Sequence, residues 1–263
     1  PFAQWGYPHQ NKETFEKSWP ADFISEAIDQ TRGWFYSLLM ISTLLFEEAE
    51  QPHPYKSCIV LGHVCDEKGR KESKSKGNYT PPDAILDSSG ADAMRWYFYA
   101  ANPPYNNTRY SPNAVRQSQQ EFLIKLHNVY SFFVIYANID GFDPNECARR
   151  SEDERSLIDR WILSELHLTV REVTDRMDQQ DIYESAQRII RFTDALSNWY
   201  VRRCRDRFWS SEKDSDKWDA YHTLYECLTT LAQVVAPFVP FFAEELYRNL
   251  VSAVHDSAPE SVH

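Results

Sequence analysis

The chain has 263 residues, of which 42% are hydrophobic and 25% are charged, and its formal net charge is −11. This composition excludes a disordered or low-complexity protein and provides enough apolar side chains for the cores of one large or two ordinary domains. The acidic balance also excludes indiscriminate binding to nucleic acid, so any RNA contact must come from local basic surfaces.

The five cysteines are scattered along the chain and never occur as a C-x-x-C pair. This spacing indicates reduced thiols in a cytoplasmic protein and predicts neither disulfides nor a bound metal. No apolar stretch is long enough to predict a membrane span, and no signal peptide is recognisable. The chain begins at Pro1 without a methionine, and we expect it to be an internal part of a longer protein.

The first part of the chain, residues 1–112, alternates short apolar runs with helical patterns, which predicts an α/β domain. The elements predicted there are a strand at residues 21–25, a helix at residues 30–50 and a second strand at residues 57–65. Residues 113–263 carry apolar side chains at helical spacing almost throughout, which predicts an all-α helical bundle. Its first predicted helix, at about 114–138, has on its buried face Val115, Phe122, Leu126, Val129, Phe133 and Tyr136. We expect no regular structure from Asp256 onwards.

Polar side chains follow the first predicted strand. Glu26, Asp29 and Gln30 lie between this strand and the next helix, whose first free N–H groups favour a polar ligand. Capping of the helix by Asp29, with Glu26 solvated, explains the same residues equally well.

A lysine-serine loop follows the second predicted strand, where residues 71–76 read KESKSK. Its lysines suit a polyanion such as a phosphate chain, and the flanking Gly69 and Gly77 allow the loop to bend. A solvated surface loop is the ordinary meaning of so short a basic run. Because the carboxyl ends of both strands are expected at one edge of one sheet, however, the two polar clusters together predict a nucleotide site.

A basic stripe runs along one predicted helix of the second half. It consists of Arg188, Arg191, Asn198, Arg202 and Arg205, at intervals that place them on one helical face. A solvated face is the usual meaning of such a stripe. Its acids are few, however, and the aromatic residues Trp199, Phe208 and Trp209 lie close by.

Blocks spread over the whole chain resemble the isoleucyl-tRNA synthetase family of class I aminoacyl-tRNA synthetases, in the same order. They are DQTRGWFYSLL at 29–39, VLGHVCDEKGRKESKSKGN at 60–78, GADAMRWYFYA at 90–100, YANIDGFDP at 136–144 and NWYVRRCRDRFW at 198–209. The resemblance implies the second half of a Rossmann-type nucleotide-binding domain at 1–112, ending in a stem-contact region near 80–112. It implies an anticodon-binding helical bundle at 113–263.

The resemblance also implies roles for individual residues. Lys71, Ser73, Lys74 and Ser75 match the KMSKS loop of the family, in which the second lysine, here Lys74, contacts ATP phosphates during adenylate formation. The residues implied to be catalytic are Lys71 and Lys74. The residues implied to bind ATP or the adenylate are Glu26, Asp29, Gln30, His63, Ser73, Lys74 and Ser75. The residues implied to contact tRNA are Arg202, Arg203, Arg205 and Arg207. The implied substrates are ATP with Mg²⁺, isoleucine and tRNA(Ile).

Three residues near the implied site depart from the family pattern. Glu72 stands where the loop usually has Met, and Ala27 and Thr31 stand where Gly and often His are expected. We expect Glu72 to point to solvent, since the lysines beside it make the contacts; otherwise its charge lies close to the phosphates. His63 fits both a nucleotide pocket and the packed end of a strand.

The HIGH sequence with which the family binds ATP does not occur in this chain, nor does the family's editing domain. The resemblance therefore implies part of an isoleucine–tRNA ligase that is inactive by itself. The alternatives are a non-catalytic tRNA-binding or protein-interaction module, and a valine- or leucine-specific enzyme of the same class.

Overall fold

The computed structural model of the protein describes residues 3–49 and 51–263. They form two compact units, of which the first comprises the described residues up to Thr80 together with Pro103–Tyr110. The second comprises Pro81–Asn102 and Ser111–His263. The division therefore differs from the predicted boundary between residues 112 and 113, because residues 81–102 fold with the later helices. Pro1, Phe2 and Glu50, which fall within predicted elements or domains, lie outside the described residues.

The first unit contains two small parallel sheets. Its helices are α1 (Lys12–Ser18) and α2 (Trp34–Leu45), and its strands are β1 (Ala21–Ala27), β2 (Tyr55–Leu61), β3 (Val64–Cys65) and β4 (Thr108–Arg109). β1 pairs with β2, and β3 pairs with β4. A 3-10 turn at Ile28–Arg32 and then α2 follow β1, so β1, α2 and β2 form a β-α-β unit. The predicted α/β class is confirmed.

The second predicted strand, 57–65, is two strands in different sheets. The chain leaves the first sheet at Gly62, whose N–H donates to the Pro104 carbonyl at 2.8 Å. A Cβ at this position would collide with the Asn106 carbonyl and lie 2.8 Å from the Asn107 nitrogen, so the close approach requires glycine. The segment that contacts Gly62 and prevents β2 from continuing therefore lies more than forty residues later in the sequence.

An aromatic cluster forms much of the core of the first unit. Phe15 is buried, and its ring centroid lies 4.5 Å from that of Tyr7. Trp19 and Phe46 complete the cluster, with their centroids 4.7 Å apart. On α2, by contrast, the apolar side chain of Leu44 is 76% exposed, so the outer surface of this helix is not buried within the unit.

The second unit is a helical bundle, as predicted. Its helices are α3 (Pro82–Ser89), α4 (Ala91–Ala100), α5 (Pro112–Gln119), α6 (Lys125–Asp140), α7 (Leu157–Asp178), α8 (Ile182–Asp194), α9 (Arg202–Trp209), α10 (Ser215–Val235) and α11 (Pro240–Tyr247). π-helical segments join α5 to α6 at Gln120–Ile124 and α8 to α9 at Ala195–Val201, and a third, Arg248–Ser252, follows α11. Each π turn contains an additional residue per turn and shifts the phase of the side chains after it.

Local sequence signals set the ends of these helices. Proline occupies the first turn of α3, α5 and α11, where its missing N–H has no helical partner to lose. Side-chain oxygens cap other starts: Asp214 accepts from the Lys217 N–H at 2.9 Å at the start of α10. α6 ends at Gly141 in the left-handed conformation, with φ of 68°.

The core of the second unit consists of aromatic and aliphatic side chains at the predicted positions. Val115, Phe122, Leu126, Val129 and Phe133 are buried, as the periodicity predicts, whereas Tyr136 of the same predicted face is half-buried. The fully buried Trp96 ring stacks on Phe122 at 3.9 Å between centroids. Beyond Asp256 the chain has no helix or strand, but the Glu244 carboxylate accepts hydrogen bonds from the Ser261 hydroxyl and the Val262 N–H.

The helical segment Pro112–Asp140 meets the length and hydropathy of a membrane span, contrary to the expectation from sequence. A core helix of a globular domain meets the same two criteria. The apolar side chains named above line one face of this segment and are buried among the other helices of the unit.

Candidate functional site

The carboxyl ends of β1 and β2 meet at one edge of their sheet, as predicted. The parallel register pairs Glu26 with Val60 and Ala27 with Leu61, so the residues after both strands emerge together. His63 follows β2 closely, and its backbone is fixed: its N–H donates to the Asn107 side chain at 2.9 Å. The His63 side chain is half-buried.

The polar residues after β1 differ in their exposure and in the hydrogen bonds of their side chains. Glu26 and Asp29 are exposed, and one oxygen of the Glu26 carboxylate accepts from the Ala27 N–H at 2.9 Å. The helix α2 begins after Gly33, and its first N–H, that of Trp34, donates to the side-chain oxygen of Gln30 at 2.8 Å rather than to Asp29. Gln30 therefore has its amide NH₂ group left for a ligand.

The lysine-serine loop begins at the second sheet rather than directly after β2. Lys71 forms an antiparallel bridge with Cys65 in β3, and a 3-10 turn spans Lys74–Lys76. The side chains of Lys71 and Lys74 are exposed. The Lys74 ammonium lies 5.1 Å from the centroid of the Tyr79 ring, a cation–π contact. The predicted catalytic lysines thus lie on the surface of an ordered loop.

The two ends of the loop are tied together by Asn78. Its side-chain oxygen accepts from the Ser73 N–H at 3.0 Å. Its NH₂ group donates to the Asp66 carboxylate at 3.0 Å and to the Lys71 carbonyl at 3.2 Å. The serine hydroxyls of Ser73 and Ser75 lie 2.8 Å apart within the closed loop. Asn78 was not among the predicted site residues, although it ends the quoted block of family resemblance.

Asp66 anchors the turn that precedes the loop. Its carboxylate accepts from Asn78 and from the backbone N–H groups of Lys68 and Arg70, and it forms an ion pair with the Arg70 guanidinium at 2.8 Å. The hydrogen bond from Asn78, followed by that from the Arg70 backbone, holds the pKa of Asp66 well below its usual range. Asp66 therefore remains an anion that organises the base of the loop.

Glu72 does not point freely to solvent, and that prediction is wrong. The side chain is half-buried, and its carboxylate accepts from the Thr80 N–H at 3.3 Å. Glu72, which departs from the family pattern, thus uses its carboxylate to accept a hydrogen bond from the backbone just after the loop.

The predicted tRNA-contacting arginines are divided by the structure. Arg202, Arg203 and Arg205 are exposed on α9. The prediction that Arg207 contacts tRNA is wrong, because its guanidinium is bound inside the protein. It donates to both oxygens of the fully buried Asp159 at 2.8 Å and to one oxygen of Asp216 at 2.9 Å.

Arg188 of the basic stripe is likewise inside the bundle. Its guanidinium binds the carboxylates of Glu165 at 2.9 Å and Glu172 at 3.1 Å. Arg188 therefore joins two helices, and the stripe is not one solvated face.

An apolar groove of about 800 Å³, here called the tryptophan groove, lies beside the α9 arginines in the second unit. It is lined by Leu157, Ile158, Trp161, Arg191, Asp194, Ala195, Asn198, Trp199 and Arg203. The Arg203 guanidinium lies 4.5 Å from the centroid of the Trp199 ring. Trp199 lies within the basic stripe in the sequence, whereas Trp161 is distant in sequence and lines the groove only through the fold.

Glu152, His167 and Glu226 form a group with the chemistry of metal ligands, one ligand atom from each lying within 4.8 Å of the others. Glu152 and His167 are exposed, and Glu226 is already ion-paired with Arg149 at 2.8 Å. The prediction from sequence that the chain holds no metal stays a prediction.

Known protein families match both parts of the chain. Residues 1–110 match the tRNA synthetases class I (I, L, M and V), and residues 159–263 match the anticodon-binding domain of tRNA ligase. The isoleucine–tRNA ligase of Clostridium tetani is 53% identical over 263 residues, which are 100% of this chain and 25% of that protein. The isoleucine–tRNA ligase of Dehalococcoides mccartyi is 52% identical over 266 residues, covering 100% of this chain and 26% of that protein. The chain thus spans about a quarter of the length of these relatives.

Solved structures share the fold. The methionyl-tRNA synthetase of Mycobacterium tuberculosis in complex with methionyl-adenylate gives a TM-score of 0.75 at 21% identity, covering 99% of this chain and 53% of that chain. The LeuRS–tRNA–LeuAMS ternary complex of Agrobacterium radiobacter K84 gives 0.67 at 20% identity, covering 88% of this chain and 28% of that chain.

Proposed function

Because the chain belongs to the class I aminoacyl-tRNA synthetases, with isoleucine–tRNA ligases as its relatives, we propose that it is the ATP-handling and tRNA-binding part of a cytoplasmic isoleucine–tRNA ligase. The observation that carries the proposal is the lysine-serine loop. Asn78 closes this loop at its base, while Lys71 and Lys74 remain exposed at its surface.

The proposed reaction is the activation of isoleucine. The isoleucine carboxylate attacks the α-phosphorus of ATP, the bond from that phosphorus to the pyrophosphate oxygen breaks, and isoleucyl-adenylate and pyrophosphate form. Negative charge grows on the leaving pyrophosphate, and the Lys74 ammonium stabilises it, with Lys71 as the second cation. Mg²⁺ accompanies ATP as part of the substrate, and we assign it no ligand in this chain.

The residues at the sheet edge are proposed to hold the nucleotide and the adenylate. Glu26 and Asp29 are exposed there, and Gln30 has its NH₂ group available. The hydroxyls of Ser73 and Ser75 can donate to phosphate oxygens from within the loop. His63 is proposed to lie beside the adenosine.

The second half is proposed to bind tRNA(Ile), to which isoleucine is then transferred. Arg202, Arg203 and Arg205 supply exposed cations for backbone phosphates in a chain that is acidic overall. A non-catalytic RNA-binding module is the second candidate, because the tRNA-binding residues do not depend on the lysine-serine loop.

The test is isoleucine-dependent exchange of pyrophosphate into ATP by the full-length protein. Lys74→Ala should lower the exchange rate about 10²- to 10³-fold, the usual effect of losing one contact to developing charge. Lys76→Ala is the matched control, since Lys76 is exposed in the same turn but was not assigned a role. Equal losses from both variants, or no exchange in the unaltered protein, would contradict the proposal.

The chain by itself is predicted not to catalyse this exchange, because it lacks the family's HIGH sequence. Measurable isoleucine-dependent exchange by the 263-residue chain would refute that part.

A further inference from the structure

The chain passes from the first small sheet to the second through Gly62 and His63, which lie between β2 and β3. Backbone groups of a later segment hold this crossing on both sides. The Gly62 N–H donates to the Pro104 carbonyl at 2.8 Å, and the His63 carbonyl accepts from the Thr108 N–H at 2.9 Å. The N–H of His63 has a side-chain acceptor instead of a backbone one.

Asn107 supplies that acceptor from forty-four residues later in the sequence. Its side-chain oxygen accepts from the His63 N–H at 2.9 Å. The backbone contacts of its neighbours already attach this segment to the crossing, and the close approach to Gly62 requires no side chain from Asn107. The added bond therefore fixes the backbone of His63 in one conformation, and with it the direction of the His63 side chain.

The crossing also leads directly into the lysine-serine loop. After His63 the chain enters β3, which pairs with β4 and whose Cys65 forms the bridge to Lys71. The imidazole of His63 is proposed to lie beside the adenosine, while Lys74 of the loop is proposed to contact the phosphates. A fixed crossing thus sets where the chain begins its path from one end of the nucleotide to the other.

We propose that Asn107 is a positioning residue of the ATP site. It holds the backbone of His63 so that the imidazole lies beside the nucleotide, and it touches no reacting atom itself. A binding group has to stay within about 0.5 Å of its productive position, and hydrogen bonds from a supporting residue provide that restraint. The inference rests on the proposed function and adds a residue that lies outside all five blocks of family resemblance.

The experiment measures pyrophosphate exchange by the full-length protein, with ATP and isoleucine varied in turn. Asn107→Ala should raise the KM for ATP roughly 3- to 10-fold, the factor expected for the loss of one ordinary hydrogen bond, and leave the KM for isoleucine unchanged. Asn106→Ala is the matched control, because it removes the same amide group one position earlier, where it is not the partner of the His63 N–H. This control should leave both KM values unchanged.

Two further measurements identify the bond and its route of action. Hydrogen exchange of the His63 N–H should be faster in Asn107→Ala, whereas Asn107→Asp should keep the protection, since its carboxylate retains an acceptor oxygen. Because Asn107 acts through His63, the double variant His63→Ala with Asn107→Ala should have the same KM for ATP as His63→Ala alone.

The outcomes are distinguishable. If the unaltered protein shows no isoleucine-dependent exchange, the proposed function and this inference both fail. If exchange depends on Lys74 but Asn107→Ala behaves like Asn106→Ala, only the inference fails. Effects of His63→Ala and Asn107→Ala that multiply in the double variant would also overturn it. So would an Asn107→Ala variant in which Tm falls and both KM values rise together, since Asn107 would then contribute to stability alone.

Discussion

Arg207 belongs to the basic segment that resembles a tRNA-binding surface, yet its geometry predicts a role in stability. Its guanidinium makes a bidentate pair with Asp159, whose side chain is fully buried, and also binds the Asp216 carboxylate and carbonyl. Arg207→Gln would leave Asp159 with the Tyr200 hydroxyl at 2.6 Å and the Ser156 hydroxyl at 2.6 Å as its neutral partners. Removing one partner of a buried pair costs about 3–5 kcal/mol of unfolding free energy.

The assay is thermal unfolding of the chain. For a unit of this size each kcal/mol lowers Tm by about 2–4 °C, so Arg207→Gln should lower it by about 6–20 °C. Arg205→Gln, one exposed position on the same helix, should change the unfolding free energy by less than about 0.5 kcal/mol. The double variant Arg207→Gln with Asp159→Asn should be more stable than Arg207→Gln alone, because no buried charge is left unpaired.

The pH dependence gives a second readout. Burial alone would raise the pKa of Asp159, but the hydrogen bonds and charge of Arg207 outweigh it and lower the pKa. A lowered pKa contributes stability above the unfolded value near ~4, and this contribution is lost as the pH falls through the folded value. In Arg207→Gln burial is opposed only by the hydrogen bonds from the Ser156 and Tyr200 hydroxyls, so the pKa of Asp159 rises. The difference in unfolding free energy between the unaltered protein and the variant should therefore become smaller from pH 7 towards pH 4. An unchanged Tm, or a difference in unfolding free energy that does not vary with pH, would refute the ion pair between Arg207 and Asp159.

Three further predictions concern the first unit. Gly62→Ala should lower its unfolding free energy by about 1–3 kcal/mol in urea titration, because the new methyl group meets the backbone of Asn106, and equal stability would contradict this close approach. Asn78→Ala should speed hydrogen exchange of the Ser73 N–H and raise the KM for ATP of the full-length protein, since the loop loses the bonds that close it; unchanged exchange would show that Asn78 does not hold the loop. Glu72→Met should lower the KM for ATP about two- to fivefold by removing a negative charge from a loop that binds phosphates, and an unchanged KM would show that the carboxylate is too far away to matter.

Periodicity and local signals predicted much of the fold. The bundle helices follow from apolar side chains at helical spacing, and the buried face of α5 and α6 has the predicted residues. β1 and the parallel pairing of its end with that of β2 also follow from local patterns. The family resemblance then supplied the roles of the lysines, which no local pattern distinguishes from a solvated loop.

The remaining features depend on contacts that are distant in sequence. The strand predicted at 57–65 divides at Gly62 because a segment near Asn106 approaches its backbone. The side chain of Gln30, rather than that of Asp29, accepts from the first N–H of α2, because a 3-10 turn lies between β1 and the helix.

The arginines of this region could not be divided into buried and exposed residues from their sequence spacing. A π-helical segment, Ala195–Val201, lies inside the basic stripe, so the spacing of a regular α-helix does not carry across it. Which arginines then become buried depends on acids contributed by another helix: Asp159 of α7 for Arg207, and Glu165 of the same helix for Arg188. No pattern within the stripe itself contains that information.

Amino-acid-dependent exchange of pyrophosphate into ATP by the full-length protein tests the central claim most directly. With isoleucine, valine, leucine and methionine compared at equal concentration, the exchange rate should be highest with isoleucine, and Lys74→Ala should abolish most of it while Lys76→Ala does not. A higher rate with another of these amino acids would contradict the assignment to isoleucine. No exchange with any of them would contradict the proposed ligase and leave the RNA-binding module as the function of this chain.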